Sequence, residues 1–141
     1  MAESTGSPTS LRLLVVTSEQ KILETEVDEV VLPGTDGELG ILPGHTPLLT
    51  TLSIGRLMYR RGSEERQIVL SWGFAEVLPD RVIVMAEGAK LAEEIDVAAA
   101  ERTRVEAEKE LASLASHDEG FAAAQARLEE SVVMLRVAGK S

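Results

Sequence analysis

The stretch Glu87-Gly88-Ala89-Lys90-Leu91-Ala92-Glu93-Glu94 separates two kinds of polypeptide. All five prolines lie before residue 80, whereas 14 of the 16 alanines lie from Ala86 onward. Upstream, Leu23, Thr25 and Val27 alternate with Glu24, Glu26 and Asp28, the period-two pattern of a strand with one buried and one wet face. Downstream the period lengthens to about 3.6 residues, that of a helix. Val97, Ala100, Ala107, Leu111 and Leu114 then share one face, with Arg104 its polar break, and Asp96 stands ready to N-cap the first turn. Phe121, Ala124, Leu128, Val132 and Leu135 repeat the pattern. The intervening Ser116-His117-Asp118-Glu119-Gly120 is long enough only to reverse direction.

The upstream half holds further short Val-, Ile- and Leu-rich runs: Leu11 to Thr17, Glu29 to Leu32, Leu57 to Arg60, Gln67 to Ser71, Phe74 to Leu78 and Val82 to Ala86. Arg61-Gly62-Ser63-Glu64 and Pro79-Asp80 read as hairpin turns, proline fixing φ at the first turn position. Many strands without intervening helices predict an antiparallel sandwich. The fold class is therefore α+β, an N-terminal antiparallel β-sandwich followed by a C-terminal antiparallel two-helix hairpin. Its segments are a flexible tail over 1–10, the sandwich over 11–87, a hinge over 88–95 and the hairpin over 96–141. The hairpin seam is half alanine. At about 0.8 kcal/mol per buried CH2 group an alanine contributes far less than a leucine, so the hairpin is expected to be weakly held.

Composition excludes several functions. The chain of 141 residues carries a net charge of -10 and no cluster of its 14 basic residues, which disfavours binding to phosphate backbones. It contains no cysteine, so disulfides, thiolate nucleophiles and cysteine-type zinc sites are absent, in keeping with a reducing compartment. Met1 to Ser10 lacks the features of a secretion signal or transit peptide, and no apolar run reaches the ~20 residues of a membrane helix.

Catalysis finds no support. G-x-S-x-G, H-E-x-x-H, a Walker loop and a strand-borne G-x-G-x-x-G are all missing, and His45 and His117, one in each half, make no metal site. No catalytic residue, metal or cofactor is expected. The run Gly37-Glu38-Leu39-Gly40-Ile41-Leu42-Pro43-Gly44-His45-Thr46-Pro47-Leu48-Leu49 instead reads as a stiff loop across the sandwich end. Leu39, Ile41, Leu48 and Leu49 anchor it, while Glu38 and His45 are presented for docking; the competing reading of His45 is an imidazole bonded to local backbone. Trp72 and Phe74, beside Gly73, read as sandwich core rather than as a partner patch.

The run V-V-L-P-G-T-D-G-E-L-G-I-L-P-G-H-T-P-L-L-T, Val30 to Thr50, together with L-S-W-G-F-A-E-V, Leu70 to Val77, resembles the epsilon subunit of bacterial F-type ATP synthases. The likeness extends from Leu11 to about Val137. It implies a non-catalytic central-stalk subunit whose sandwich grips the gamma subunit and rests on the c-subunit ring, at the cytoplasmic face of a bacterial plasma membrane. Glu38 and His45, in a segment shaped by Gly40, Pro43, Gly44 and Pro47, would make that contact. The hairpin would swing up along gamma toward the alpha/beta head and obstruct hydrolysis, with Asp96, Arg102, Arg104, Arg127 and Arg136 as its switch residues.

Some relatives bind ATP on the folded hairpin through a motif beginning Ile-Asp and ending Arg-Ala. Ile95, Asp96 and Ala100 are a remnant of it, but Ala99 replaces the motif arginine, and Glu106, Glu130 and Met134 replace the supporting ones. No useful nucleotide site is expected, and sub-millimolar ATP binding in equilibrium dialysis would contradict this. Two other functions compete: a hairpin regulator that offers Asp118 and Glu119 inside the channel of an enzyme such as RNA polymerase, and a sandwich that binds a small molecule.

Overall fold

A computed structural model describes residues 8–140 of the chain. Residues 1–7 of the expected tail lie outside the described residues. Eight strands occur among those described: β1 Leu11–Val16, β2 Lys21–Val27, β3 Glu29–Gly34, β4 Gly37–Ile41, β5 Leu48–Leu52, β6 Gly55–Arg61, β7 Glu64–Leu78 and β8 Arg81–Leu91. Two helices follow, α1 Val97–Ala112 and α2 Phe121–Lys140.

Strands β7 and β8 are long because each serves both layers of the sandwich. The upper parts of the pair extend a layer ordered β2-β1-β8-β7-β5; the lower parts join β6, β3 and β4 in the other. Side chains alternate accordingly: Leu11, Leu13 and Val15 of β1 meet Val82 and Val84 of β8 in a fully buried core, while Arg12 points to solvent. Burying a side chain of this size contributes roughly 1.5–3 kcal/mol, so the alternation alone holds the strands in register.

The turn from one layer into the other is made at Trp72 and Gly73, with φ of 56° and 145°. A Cβ on Gly73 would lie 2.1 Å from the Met85 carbonyl oxygen, closer than any side chain tolerates. Glycine is therefore required both by conformation and by the approach of β8.

Several sequence expectations change. Gln67 to Ser71 and Phe74 to Leu78 are parts of one strand, since the bend at Trp72 leaves their pairing with β8 in register. The first and last strands pair in parallel rather than antiparallel fashion, Arg12 beside Arg81. The segment Gly37 to Leu49 is no simple loop: Leu39 pairs with Leu32 in β4, and Leu48 with Val77 in β5. Of the segment 88–95, residues up to Leu91 belong to β8 and remain paired to β7, and a single turn of 3-10 helix, Ala92–Glu94, leads to α1.

The helices form the expected antiparallel hairpin. Asp96 caps α1, its carboxylate accepting from the Ala99 amide at 3.0 Å, and the Asp118 carboxylate accepts from the Ala115 amide at 2.7 Å to close the turn. Buried Ala100 and Ala107 meet a row of α2 that includes buried Ala124 and Ser131. Ser131 takes the place expected for Val132, which is 36% exposed; the serine hydroxyl donates back to the Leu128 carbonyl and so needs no other partner. Val97, expected on the seam, is 52% exposed. A second row of α2, containing Glu130, Val133 and Val137, faces β6 and β7.

Candidate partner-contact site

The residues singled out between Gly37 and Leu49 are separated by the structure. Glu38 sits on β4 opposite Pro33, close to the Thr35-Asp36 turn, and is exposed. His45 lies beyond the other end of β4, and three strand steps of about 3.3 Å each separate Glu38 from Ile41 alone. Gly40 is exposed on β4, and Pro43, Gly44 and Pro47 belong to the turn that joins β4 to β5. This turn is held to the β7–β8 turn by the Gly44 amide, which donates to the Pro79 carbonyl at 2.8 Å; Gly44 itself adopts φ of 86°.

The imidazole of His45 is half-buried and its Nδ1 lies 2.7 Å from the Thr46 carbonyl. A carbonyl only accepts, so Nδ1 is the donor of this bond. The imidazole thus makes the backbone bond of the competing reading, and that bond orients the ring.

The same strands display something that sequence reasoning missed. Trp72 and Phe74 are not core residues; they are 42% and 44% exposed, because β7 turns them outward as it bends. Register places Val16, Met85, Phe74 and Thr51 side by side on the outer face of the β1-β8-β7-β5 layer. The neighbouring row is Leu14, Ile83, Glu76 and Leu49, the last 68% exposed. Leu42, in the turn beyond β4, is 55% exposed. The Glu76 carboxylate has no hydrogen bond or ion pair among the described residues. The detectable signal was the alternation itself: Ala75 and Val77 occupy the inward phase, so Phe74 and Glu76 must face out.

Several other surface charges of the sandwich are paired. Arg12 bridges Glu24 and Glu26, and Lys21 adds to Glu24. Lys21 and then Arg12 hold the Glu24 carboxyl below its ordinary range; Ser10 and then Arg12 do so for Glu26. Arg66, then Arg61, lowers Glu64.

On the hairpin, Asp96 serves as the cap described above. Arg104 does not face the seam as a lone charge: its guanidinium bonds Glu101 and Glu108 one turn away on either side, which raises its pKa, Glu101 being the main cause. Arg127 reaches across to Glu110 and ties the helices together. Arg102 and Arg136 are exposed, with no partner among the described residues. Of the Ile95, Asp96 and Ala100 remnant, Asp96 and Ala100 border a cleft of about 200 Å³ in which Lys90 and Arg127 are offset by Asp96 and Glu130. No group of histidine and carboxylate side chains suited to a metal occurs among the described residues, and no described helix is long and apolar enough to cross a membrane.

Residues 10–92 match the family model for the β-sandwich domain of the ATP synthase delta/epsilon chain, and residues 93–139 match the model for its long α-helix domain. An ATP synthase epsilon chain of Syntrophotalea carbinolica is 42% identical over 92% of this chain and 94% of its own. That of Syntrophobacter fumaroxidans is 45% identical over 93% and 97%. Among solved structures, a chain of the Euglena gracilis mitochondrial ATP synthase, described as OSCP/F1/c-ring, superposes with a TM-score of 0.80 and 26% identity, covering 100% of this chain and 89% of that one. A chain of the Tetrahymena thermophila central stalk and c-ring shares the fold at a TM-score of 0.59 and 14% identity. With both halves matched in order and nearly the full length covered, the chain belongs to the ATP synthase delta/epsilon family, as an epsilon-type subunit of an F-type ATP synthase.

Proposed function

We propose that the chain is a non-catalytic part of the rotor, which links the c ring to the gamma subunit through its sandwich and restrains ATP hydrolysis through its hairpin. The observation that carries the reading is the apolar outer face on which exposed Phe74 and Leu49 flank the half-buried Met85 and Ile83, set on a layer whose opposite side is fully packed. Exposed apolar surface of this kind on a stiff scaffold marks a docking site. Gamma is assigned to this face, with a basic residue answering Glu76. The c ring is assigned to the β4–β5 turn and β4, where His45, Pro43, Gly44 and Pro47 form one contact and Glu38 and Gly40 another. A subunit so placed works at the membrane surface, on the cytoplasmic side in a bacterium, through its partners alone.

For the hairpin, the proposed switch set divides. Arg102 and Arg136 are available to meet acidic groups of the catalytic head, whereas Arg104 and Arg127 are engaged in stabilising the hairpin itself. The offset charges around the Asp96 cleft support the view that a triphosphate finds no net positive site there.

The tests act on the two halves separately. In Glu38→Ala/His45→Ala the sandwich should stay folded, with a loss of about 0.5–1.5 kcal/mol from the His45–Thr46 bond. Recovery of the c ring with a tagged chain, and proton-driven ATP synthesis, should fall; unchanged coupling would refute the contact. Removing residues 96–141 should raise ATP hydrolysis by the assembled enzyme, and an unchanged rate would show that the hairpin is no brake. Recovery of RNA polymerase in place of gamma would favour the channel-regulator reading.

A further inference from the structure

The row of α2 that faces the sandwich contains the half-buried Glu130, with the exposed Arg127 and Glu129 at its margins. Ala126, Glu130, Val133 and Val137 recur at helical spacing, and Val137 is buried. On the sandwich side Val69 is 2% exposed yet lies outside the core cluster, because Ile68 and Leu70 take the inward phase; it shares the face of Ser71, the side of β7 against which α2 packs. A carboxylate in such a row weakens docking unless it is answered. Glu130 is answered by the Ser71 hydroxyl, which donates to it across the half-buried interface.

The sandwich side of this bond is stiff. Ser71 is paired with Gly88 of β8 and immediately precedes the Trp72–Gly73 bend, where β8 leaves no room for a side chain. Lys90 and Arg127 border the same region of Glu130, but Arg127 is committed to Glu110, and Lys90 makes no ion pair among the described residues.

We propose that the Ser71–Glu130 hydrogen bond is the latch of the docked hairpin: while closed it pairs the half-buried Glu130 carboxylate of α2 with β7, and its opening sets how often the hairpin leaves the sandwich. The inference rests on the regulatory reading of the hairpin, but its test needs no catalysis. Glu130 and Ser71 are positioning residues, acting through the seating of α2.

The chain has no cysteine, so Val69→Cys in the full-length protein introduces a single thiol whose labelling rate reports undocking. Ser71→Ala, which strands the carboxylate, should accelerate labelling on the order of tenfold, the worth of a hydrogen bond to a charged group at the low end of its range. Ser71→Thr, which keeps the hydroxyl, should label near the parental rate. Adding Glu130→Ala to Ser71→Ala should return labelling toward the parental rate, since removing both partners removes the stranded charge. Throughout, the denaturant midpoint of the sandwich should not move. Additive acceleration in the double variant, or an unchanged rate in Ser71→Ala, would overturn the latch. If Val69→Cys itself loosens the contact, spin labels at Asp80→Cys and His117→Cys read the same equilibrium as a distance, with the same order of variants expected. A latch that behaves as described alongside unaltered hydrolysis on deleting residues 96–141 would break the regulatory reading and leave the latch standing.

Discussion

The sandwich and the hairpin are stabilised in different ways. In the sandwich, Leu11, Leu13, Val15, Leu57 and Leu70 are wholly buried, and pairings between strands distant in sequence, such as β1 with β8 and β3 with β6, tie the layers together. In the hairpin the buried side chains are Ala100, Ala107, Ala124, Ser131 and Val137, and the strongest cross-helix polar tie is Arg127 to Glu110 at the surface. An alanine seam lets helix axes come close, but it removes little apolar area from water. One short chain thus contains a unit with a large aliphatic core and another whose buried seam is mostly alanine.

The difference can be broken most severely at the bend. Gly73→Ala combines a disallowed φ with a collision against Met85, and about 3 kcal/mol or more of sandwich stability should be lost in denaturant unfolding. A loss much below that would mean β7 and β8 can part at the bend and that the sandwich is softer than its packing implies.

A matched pair of truncations sharpens the contrast. Leu57→Ala leaves a cavity in the core and should cost about 2–5 kcal/mol. Ala107→Gly in the seam should cost about 1 kcal/mol, chiefly through helix propensity, and should appear as lost helical circular dichroism with the sandwich midpoint unchanged. Equal effects on both midpoints would show that the halves unfold as one unit.

The smallest expected effect is electrostatic. Glu24, Glu26 and Glu64 have folded-state pKa values below their unfolded ones. Their contribution is therefore complete above the ordinary glutamate value of about 4.3 and is lost as pH falls through the lowered folded values. All three are exposed, so solvent screening keeps the contribution small. Lys21→Met should raise the Glu24 titration midpoint, followed by carboxyl NMR shifts, and shift acid unfolding of the sandwich only slightly. The hairpin, lacking these groups, should not respond.

Local pattern made much of this architecture legible. The change from period two to period 3.6 at Glu87 to Glu94 separated sandwich from hairpin, Asp96 announced the start of α1, and the Gly37 to Thr50 motif led to the family. Less legible was anything that depended on who lies opposite. Glycines and prolines between Gly37 and Leu49 concealed two strands, although the inward phase of Leu39 and Ile41 was there to be read. Arg104 looked like a charge in the seam because its helical position is visible in the sequence, while the reach of its side chain to Glu101 and Glu108 is not.

The sequence by itself determined which segments alternate, which spiral and where the change occurs, since these follow from the geometry of a single strand or helix. Only the tertiary structure decided that Phe74 and Trp72 face outward, that β1 lies parallel to β8, and that Glu130 meets Ser71. Each of those depends on a bend or a pairing between residues far apart in the chain, and the free energy of burial is settled by the partner that covers a side chain rather than by the side chain alone.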